Sequence, residues 1–410
     1  MELRATRRAP SHPVARRSTR VSRAVVVAVL IGLPNASAPL AEADVSRQWP
    51  LQYLKADQDW SIAKGSGVTV AVIDTGIAST SDTKRVLEAG ADFSNGTTSS
   101  GNGQTDSDGH GTSMATLIIG SGDIATGLAP DAGLLPVRVT SGTGVQTADL
   151  AAGVEYAVSQ HVSVISISLD ELAPDASLER AIRDAVTDNI VVVAAAGDEA
   201  QSSIDYPAAY PGVVAVGAID QSGAIWSSSN KSSRVTLAAP GVDVPSEDNF
   251  GSSGSTTGTS ASTAYVSATA ALIRSAHPSW TAGQVIRDLI GTADPGNGQV
   301  AGRHSDQYGY GIVDPLKALQ ASAPTETTNP LITPADGSAA ATATATTAAT
   351  TASTGSGAAV GPRGHAASPR SHTGPIAGLG IAIVIVILII MLIVVLSRRN
   401  RNRRGGPDGR

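Results

Sequence analysis

The chain has 410 residues, a formal net charge of −6 at pH 7 and no cysteine. Without cysteine it can form no disulfide, thiolate metal site or cysteine nucleophile. Its charge is segregated, because seven arginines lie in residues 1–43 and six in residues 397–410, which leaves 16 basic against 32 acidic residues between them. A middle region with a net charge of −16 would repel nucleic acid, so the charge argues against nucleic-acid binding.

The first 43 residues have the layout of a secretory signal peptide. An arginine-rich stretch is followed by an apolar run at 24–33 and by small residues at 36–38 and 41–43. Basic region, short apolar core and small-residue cleavage site are the three parts of such a signal, and we predict cleavage after Ala43. The alternative is an uncleaved anchor, but the apolar run is too short to span a bilayer comfortably.

Residues 44–320 contain the folded part of the chain, and short β-branched runs alternate there with helical patterns. The predicted buried strands are 68–73, 134–139, 162–168 and 190–196, and the predicted helices are 147–160, 177–189 and 262–276. Thr281 and Gln284 have the spacing of a capping box, which indicates another helix start. The alternation predicts an α/β fold, a doubly wound parallel sheet with helices on both faces and a site at the carboxyl ends of its strands.

Three segments of this domain place a reactive side chain beside glycine at a predicted strand or helix end. Asp74 ends the strand of VAVIDTGI, His110 lies between two glycines where an apolar helix opens, and Ser260 follows Gly258 and Thr259 at another helix start. Each has a simple alternative explanation as a turn residue, a surface helix starter or a helix cap. The three segments taken together carry the functional prediction.

In the order Asp, His, Ser, these segments resemble the subtilase family of serine proteases. Further strings resemble family landmarks: GLAPDAGLLPVRV (127–139), YPAAYPGVVAVGAID (206–220), LAAPGVDV (237–244) and YGYGIVDPLKAL (308–319). The resemblance implies a subtilisin-like fold and hydrolysis of protein or peptide substrates. In it Ser260 is the nucleophile, His110 the general base and Asp74 the residue that orients the imidazole, while the Ser260 N–H contributes to the oxyanion hole.

The resemblance also implies a substrate-binding set, namely Ser168, Leu169, Asp170, Ala196 and Gly197. The strand that ends at Ser168 and Leu169 pairs with substrate in the family and borders its main side-chain pocket. The chemistry requires no metal or other cofactor.

Calcium sites are common in the family, which makes calcium binding worth testing in this chain. However, Asp106, Asp108 and Asp123 have no ligand spacing that supports such a site. We expect these three residues to be hydrated loop acids.

One position departs from the family pattern at the oxyanion hole. The family has asparagine after the glycine of the strand-end motif, where its amide donates to the developing oxyanion, and this chain has Asp198 after Gly197. A carboxylate there repels negative charge, unless it stays protonated and donates. We therefore expect an active protease whose turnover is reduced by Asp198. The alternative is a weak or inactive domain that is retained for binding.

Beyond the domain, residues 321–375 are rich in Ala and Thr and contain few large apolar residues, which predicts a disordered linker. Residues 376–396 carry no charge, and as a helix they would span about 31 Å, close to the hydrocarbon thickness of a bilayer. A buried core helix is disfavoured because the run is apolar all round. The arginines of 397–410 favour a cytoplasmic tail, so the domain is expected on the outer side of the cell membrane.

The chain resembles the mycosins, the subtilases that accompany type VII secretion systems. The resemblance lies in the short lead-in at 47–67, the absence of room for a folded pro-domain and the C-terminal anchor. This resemblance implies association with secretion-complex subunits. Two alternatives remain open: a broad-range cell-surface protease, and a structural subunit of a secretion complex with a vestigial site.

Overall fold

A seven-stranded sheet forms the centre of the computed structural model, which describes residues 47–142, 144–169 and 173–332. All adjacent strand pairs in this sheet are parallel. In the spatial order β2-β3-β1-β4-β5-β6-β7, the strands are Ala91–Asp92, Gly133–Arg138, Thr69–Asp74, Val164–Ile167, Val191–Ala195, Val214–Ile219 and Leu237–Pro240. The four strands predicted from the sequence are confirmed, with ends that differ by one or two residues.

Eight helices surround the sheet in the described part of the chain. They are α1 (Trp49–Leu54), α2 (Ala56–Asp59), α3 (His110–Ile119), α4 (Thr147–Ser159), α5 (Ala176–Thr187), α6 (Thr259–Ala276), α7 (Ala282–Thr292) and α8 (Pro315–Gln320). The predicted capping box at the start of α7 is confirmed, since the Thr281 hydroxyl and the Gln284 side chain each bond the other residue's backbone N–H. A separate antiparallel pair, β8 (Val244–Glu247) and β9 (Ser253–Thr256), lies between β7 and α6 in the chain.

The two faces of the sheet bury two different hydrophobic cores. In β1, Val70 and Val72 belong to the core that includes α3, α6 and α7, whereas Ala71 and Ile73 belong to the core that includes α4 and α5. Successive side chains of a strand point to opposite faces, so a strand that is apolar at every position requires cover on both sides. The expected doubly wound arrangement is therefore present, and all the parallel strands end at one edge.

The folded domain extends further along the chain than the predicted boundary at residue 320. Residues 321–332, here called the C-terminal strap, lie against α7 and the start of β6. The Gln284 amide donates to Pro324 O (2.8 Å), the Thr281 hydroxyl to Thr327 O (2.8 Å) and the Asn329 amide to Gly212 O (2.9 Å). Because its carbonyl groups are bound by fixed side chains, the strap belongs to the domain and not to the linker.

Several predicted segments lie outside the described residues: the signal peptide at 1–43, the linker from 333 to 375, the membrane helix at 376–396 and the tail at 397–410. Within the described residues, no helix combines the length and apolarity needed to cross a bilayer.

Candidate active site

Asp74 is the last residue of β1 and its side chain is fully buried. Its Oδ1 accepts a hydrogen bond from the Thr75 backbone N–H (2.7 Å) and lies 2.7 Å from His110 Nδ1. Its other oxygen has no partner among the described residues. Among the described residues, the buried carboxylate therefore makes its one side-chain hydrogen bond to the imidazole, and it holds the ring through Nδ1.

His110 is the first residue of α3 and faces the end of β1 across a close backbone contact. Gly111 makes this contact possible: a Cβ there would overlap the carbonyl oxygen of Gly76 and lie 3.1 Å from the Asp74 Cβ. A side chain at position 111 would therefore push α3 away from β1. The glycine after His110 sets the distance between imidazole and carboxylate.

The charge of Asp74 controls the protonation of His110. Burial is the largest single effect and lowers the pKa of the imidazole. The charge of Asp74 and its hydrogen bond, together with the charges of Asp108 and Asp106, outweigh burial, and the pKa rises to about 9. The ring is 29% exposed, so solvent and substrate can reach it. At neutral pH the resting imidazole is mostly protonated, and it becomes a base as the pH approaches 9.

A network around Asp106 holds the loop that leads into His110. Asp106 Oδ1 accepts from the Gly109 N–H (2.8 Å) and the Thr75 hydroxyl (3.0 Å), while Oδ2 accepts from the N–H (3.0 Å) and hydroxyl (2.6 Å) of Thr112. The expectation that Asp106 is a hydrated loop acid was wrong, since it is buried and occupied by these bonds. Asp108 and Asp123 are exposed, as expected. The pattern Asp-Ser-Asp-Gly is typical of such self-bonded turns and could have indicated this role.

Ser260 is the second residue of α6 and is half-buried beside the end of β4. Its hydroxyl donates to the backbone oxygen of Ser168 (3.2 Å), and the Ser168 hydroxyl donates back to Ser260 O (3.2 Å). The structure contains no hydrogen bond between the Ser260 hydroxyl and the His110 ring. The carboxylate and the imidazole are thus paired, and the serine hydroxyl is bound to a neighbouring strand end.

Asp198 follows β5 and contacts the N-terminus of α6. Its Oδ1 accepts from the Thr259 backbone N–H (2.9 Å) and from the Thr259 hydroxyl (2.7 Å). Its Oδ2 lies so near Gly258 that a Cβ there would be 2.6 Å from it. Burial raises the pKa of Asp198, the bonds from Thr259 oppose this, and Glu199 raises it further while His110 lowers it. The side chain caps the helix that carries Ser260.

The expected substrate-binding residues lie at two neighbouring strand ends. Ser168 and Leu169 follow β4, and Ala196 and Gly197 follow β5, which pairs in parallel with β4. Parallel neighbours finish at the same edge, so the fold brings these four residues together near Ser260. Leu169 is half-buried and Ala196 is buried. Asp170 lies outside the described residues.

The described residues contain no group of three or more His, Asp or Glu side chains arranged to hold a metal ion.

Residues 65–311, more than half of the chain, match the model of the subtilase family. The chain is 35% identical over 286 residues to a thermostable alkaline protease from Halalkalibacterium halodurans, which covers 68% of this chain and 76% of that protein. It is 37% identical over 254 residues to the M-protease of Shouchella clausii, where the match covers 61% of this chain and spans less than two thirds of that relative, 63%.

Among solved structures, the chain is similar to MycP1 from the ESX-1 type VII secretion system. The two share 32% sequence identity with a TM-score of 0.62, and the match covers 69% of this chain and 89% of MycP1. Both the sequence and the fold are thus similar to those of serine proteases.

Proposed function

Because this chain belongs to the subtilase family of serine proteases, we propose that it is an endopeptidase in which Ser260, His110 and Asp74 form the catalytic triad. The observation that carries the proposal is the 2.7 Å contact between His110 Nδ1 and the buried Asp74 carboxylate. This contact fixes the tautomer in which Nε2 is free to accept a proton, and it stabilises the imidazolium that results.

In the first step, His110 takes the proton of the Ser260 hydroxyl as its oxygen attacks a peptide carbonyl. In the resting site this hydroxyl donates to Ser168 O instead. The serine side chain must therefore turn from the end of β4 toward the imidazole, and catalytic hydrogen bonds often tighten in this way only when substrate is bound. The imidazolium then gives its proton to the leaving amine.

The developing oxyanion is stabilised by the backbone N–H of Ser260. As the second residue of α6, Ser260 has an N–H without an intrahelical acceptor, and the positive end of the helix adds to its effect. The Thr259 hydroxyl donates to Asp198, so it is not available to the oxyanion. An ionised Asp198 would repel the oxyanion, so we infer slow turnover, faster where Asp198 is protonated.

The proposal is tested by reacting the intact protein with a serine-directed fluorophosphonate probe. The expected result is a single labelled residue, Ser260, identified by peptide mapping, and no labelling of the Ser260→Ala variant. The exposed Ser253→Ala variant serves as a matched control and should label normally. Absence of labelling in the wild-type protein across pH 6–9 would remove the enzyme assignment.

We further propose that the domain acts on the outer side of a cell membrane, held by the helix of 376–396 with the tail of 397–410 in the cytoplasm, and that it works with a type VII secretion system. The similarity to MycP1 supports this context, and the charge pattern of the two chain ends supports the orientation. Protease protection in intact cells tests the orientation, because an external protease should remove the domain and spare an epitope at the C-terminus.

A second candidate function is that of a structural subunit of a secretion complex. Asp198 favours it, because the residue that the family resemblance expects to donate to the oxyanion is here a carboxylate that caps α6. Secretion in cells that carry Ser260→Ala separates the two functions. If secretion persists without labelling or cleavage, the structural role is independent of catalysis.

A further inference from the structure

The hairpin formed by β8 and β9 presents Phe250 to solvent at its tip. Phe250 is 85% exposed, although exposing an aromatic side chain forfeits the free energy that burial provides. The exposure does not come from a loose loop. The Asp248 carboxylate accepts from the N–H groups of Phe250 (2.9 Å) and Ser252 (2.8 Å), and the Gly251 N–H donates to Asp248 O (3.1 Å).

The hairpin is bound to the helix that carries His110. The Ser113 hydroxyl of α3 donates to Glu247 O (3.0 Å), and the Glu247 N–H donates to the Thr116 hydroxyl. At the tip, the Asn249 amide donates to Asp106 O (2.9 Å), and a Cβ on Gly109 would lie 3.1 Å from Asn249 Oδ1. Phe250 is thus one residue away from a direct contact with the loop that precedes His110.

The same hairpin leads to Ser260, because β9 ends four residues before it. The expected substrate-binding residues follow β4 and β5, and the Ser260 hydroxyl is bonded to Ser168 at the first of these strand ends. The hairpin tip is bonded to the loop that precedes His110. Since the acyl half of a substrate occupies the strand ends and His110 protonates the leaving amine, the leaving half runs over the hairpin. An extended chain advances about 3.3–3.6 Å per residue, so the first three residues of that half extend about 10 Å beyond the scissile bond.

We propose that Phe250 is a specificity-determining residue, which packs against a large apolar side chain within the first three residues after the scissile bond. The inference rests on the proposed endopeptidase function and adds a substrate class to it: polypeptides with Leu, Phe or a similar residue just after the cleaved bond. Contact with such a residue covers the exposed ring, and burial in both partners favours the complex.

The test uses the full-length protein, quenched peptides that share one acyl half, and a p-nitroanilide of that acyl half. The peptides carry Leu or Ser at each of the three positions after the scissile bond. We expect Phe250→Ala to lower kcat/KM about tenfold for the best Leu peptide. The values for the Ser peptides and for the anilide, which has no residue after its scissile bond, should stay unchanged, and Phe250→Leu should retain the preference.

Val300→Ala removes another exposed apolar side chain, 68% exposed in a different loop, and should behave as wild type. If Phe250→Ala leaves the Leu peptides unaffected, or lowers hydrolysis of the anilide equally, the specificity role is overturned while the endopeptidase function stands. A wild-type protein that cleaves neither the peptides nor the anilide overturns the proposed function, and the specificity role with it.

Discussion

The two helices that begin at the candidate site, α3 and α6, have the same kind of N-terminal cap, but the cap has a different consequence in each. Each follows a glycine, and each has an aspartate outside the helix that accepts from a backbone N–H in its first turn. Asp106 does this for α3 and Asp198 for α6. In α3 the capping carboxylate is separate from the one that binds His110. In α6 the capping carboxylate is also the one that the proposed mechanism places at the oxyanion hole, so under that proposal helix stabilisation and oxyanion stabilisation compete.

The largest effect on activity should come from replacing Ser260 and His110, which lie in the first turns of α6 and α3. We expect Ser260→Ala and His110→Ala each to lower kcat by about 10⁴- to 10⁶-fold, a range taken from subtilisin, which belongs to the same family. Progress curves on a peptide ester measure this, with Ser253→Ala as the control. A loss below tenfold for either variant would mean that the two helices do not supply one nucleophile and its base.

The dependence of kcat/KM on pH tests the pairing of His110 with Asp74 at the start of α3. Because the general base must be neutral and the pKa of His110 is raised to about 9, kcat/KM should rise about tenfold per unit between pH 7 and pH 8.5. The stability contributed by the protonated pair has the opposite dependence: it is complete below about pH 6.5 and is lost as the pH rises through 9. Stopped assays and thermal melts across this range measure both trends.

A flat profile from pH 7 to 9 would contradict the charge coupling between His110 and Asp74. Burial raises the pKa of the Asp198 carboxyl as well. Asp198→Asn removes this second titrating group, so the profile of the variant should follow the protonation of His110 alone.

Asp198→Asn tests whether the carboxylate that caps α6 lowers the turnover of the proposed protease. The asparagine oxygen can keep the bonds from Thr259 while the amide becomes available to the oxyanion. We expect kcat to rise about 10- to 100-fold, up to the lower end of the roughly 10²- to 10³-fold effect of one such donor. Steady-state kinetics at pH 8 measure it. Asp188→Asn at the end of α5 is the control, because it makes the same change at an exposed site. An unchanged or lower kcat would refute the role given to Asp198.

The smallest effect is expected from the cap of α3. Asp106→Asn replaces an oxygen that accepts from the N–H and hydroxyl of Thr112 by an amide that cannot accept. The free energy of unfolding should fall by about 2 kcal/mol, because a buried N–H loses its partner. Denaturant titration measures this, and the exposed Asp123→Asn should change it by less than about 0.5 kcal/mol. Equal stability of the two variants would show that Asp106 does not hold the loop.

The sequence was sufficient to predict on which elements Asp74, His110 and Ser260 lie, because their positions follow from local patterns. Asp74 ends an apolar strand and His110 and Ser260 each begin a helix, and parallel strands bring such ends to one edge. The sequence also identified Asp198 as a departure. It could not predict that this carboxylate caps α6, because the partner is 61 residues away and is chosen by tertiary packing. The bond from Ser260 to Ser168, which spans 92 residues, was missed for the same reason.

The C-terminal strap has a mechanical consequence for anything attached to the chain beyond residue 332. Its bonds run to α7 and to Gly212 at the start of β6, so tension on the following segment loads these side-chain clamps before it reaches α8. The clamps involve Pro324, Thr327 and Asn329, so several bonds spread along the strap separate the following segment from α8. The candidate site is at the opposite ends of the strands, so the load is taken up away from Ser260.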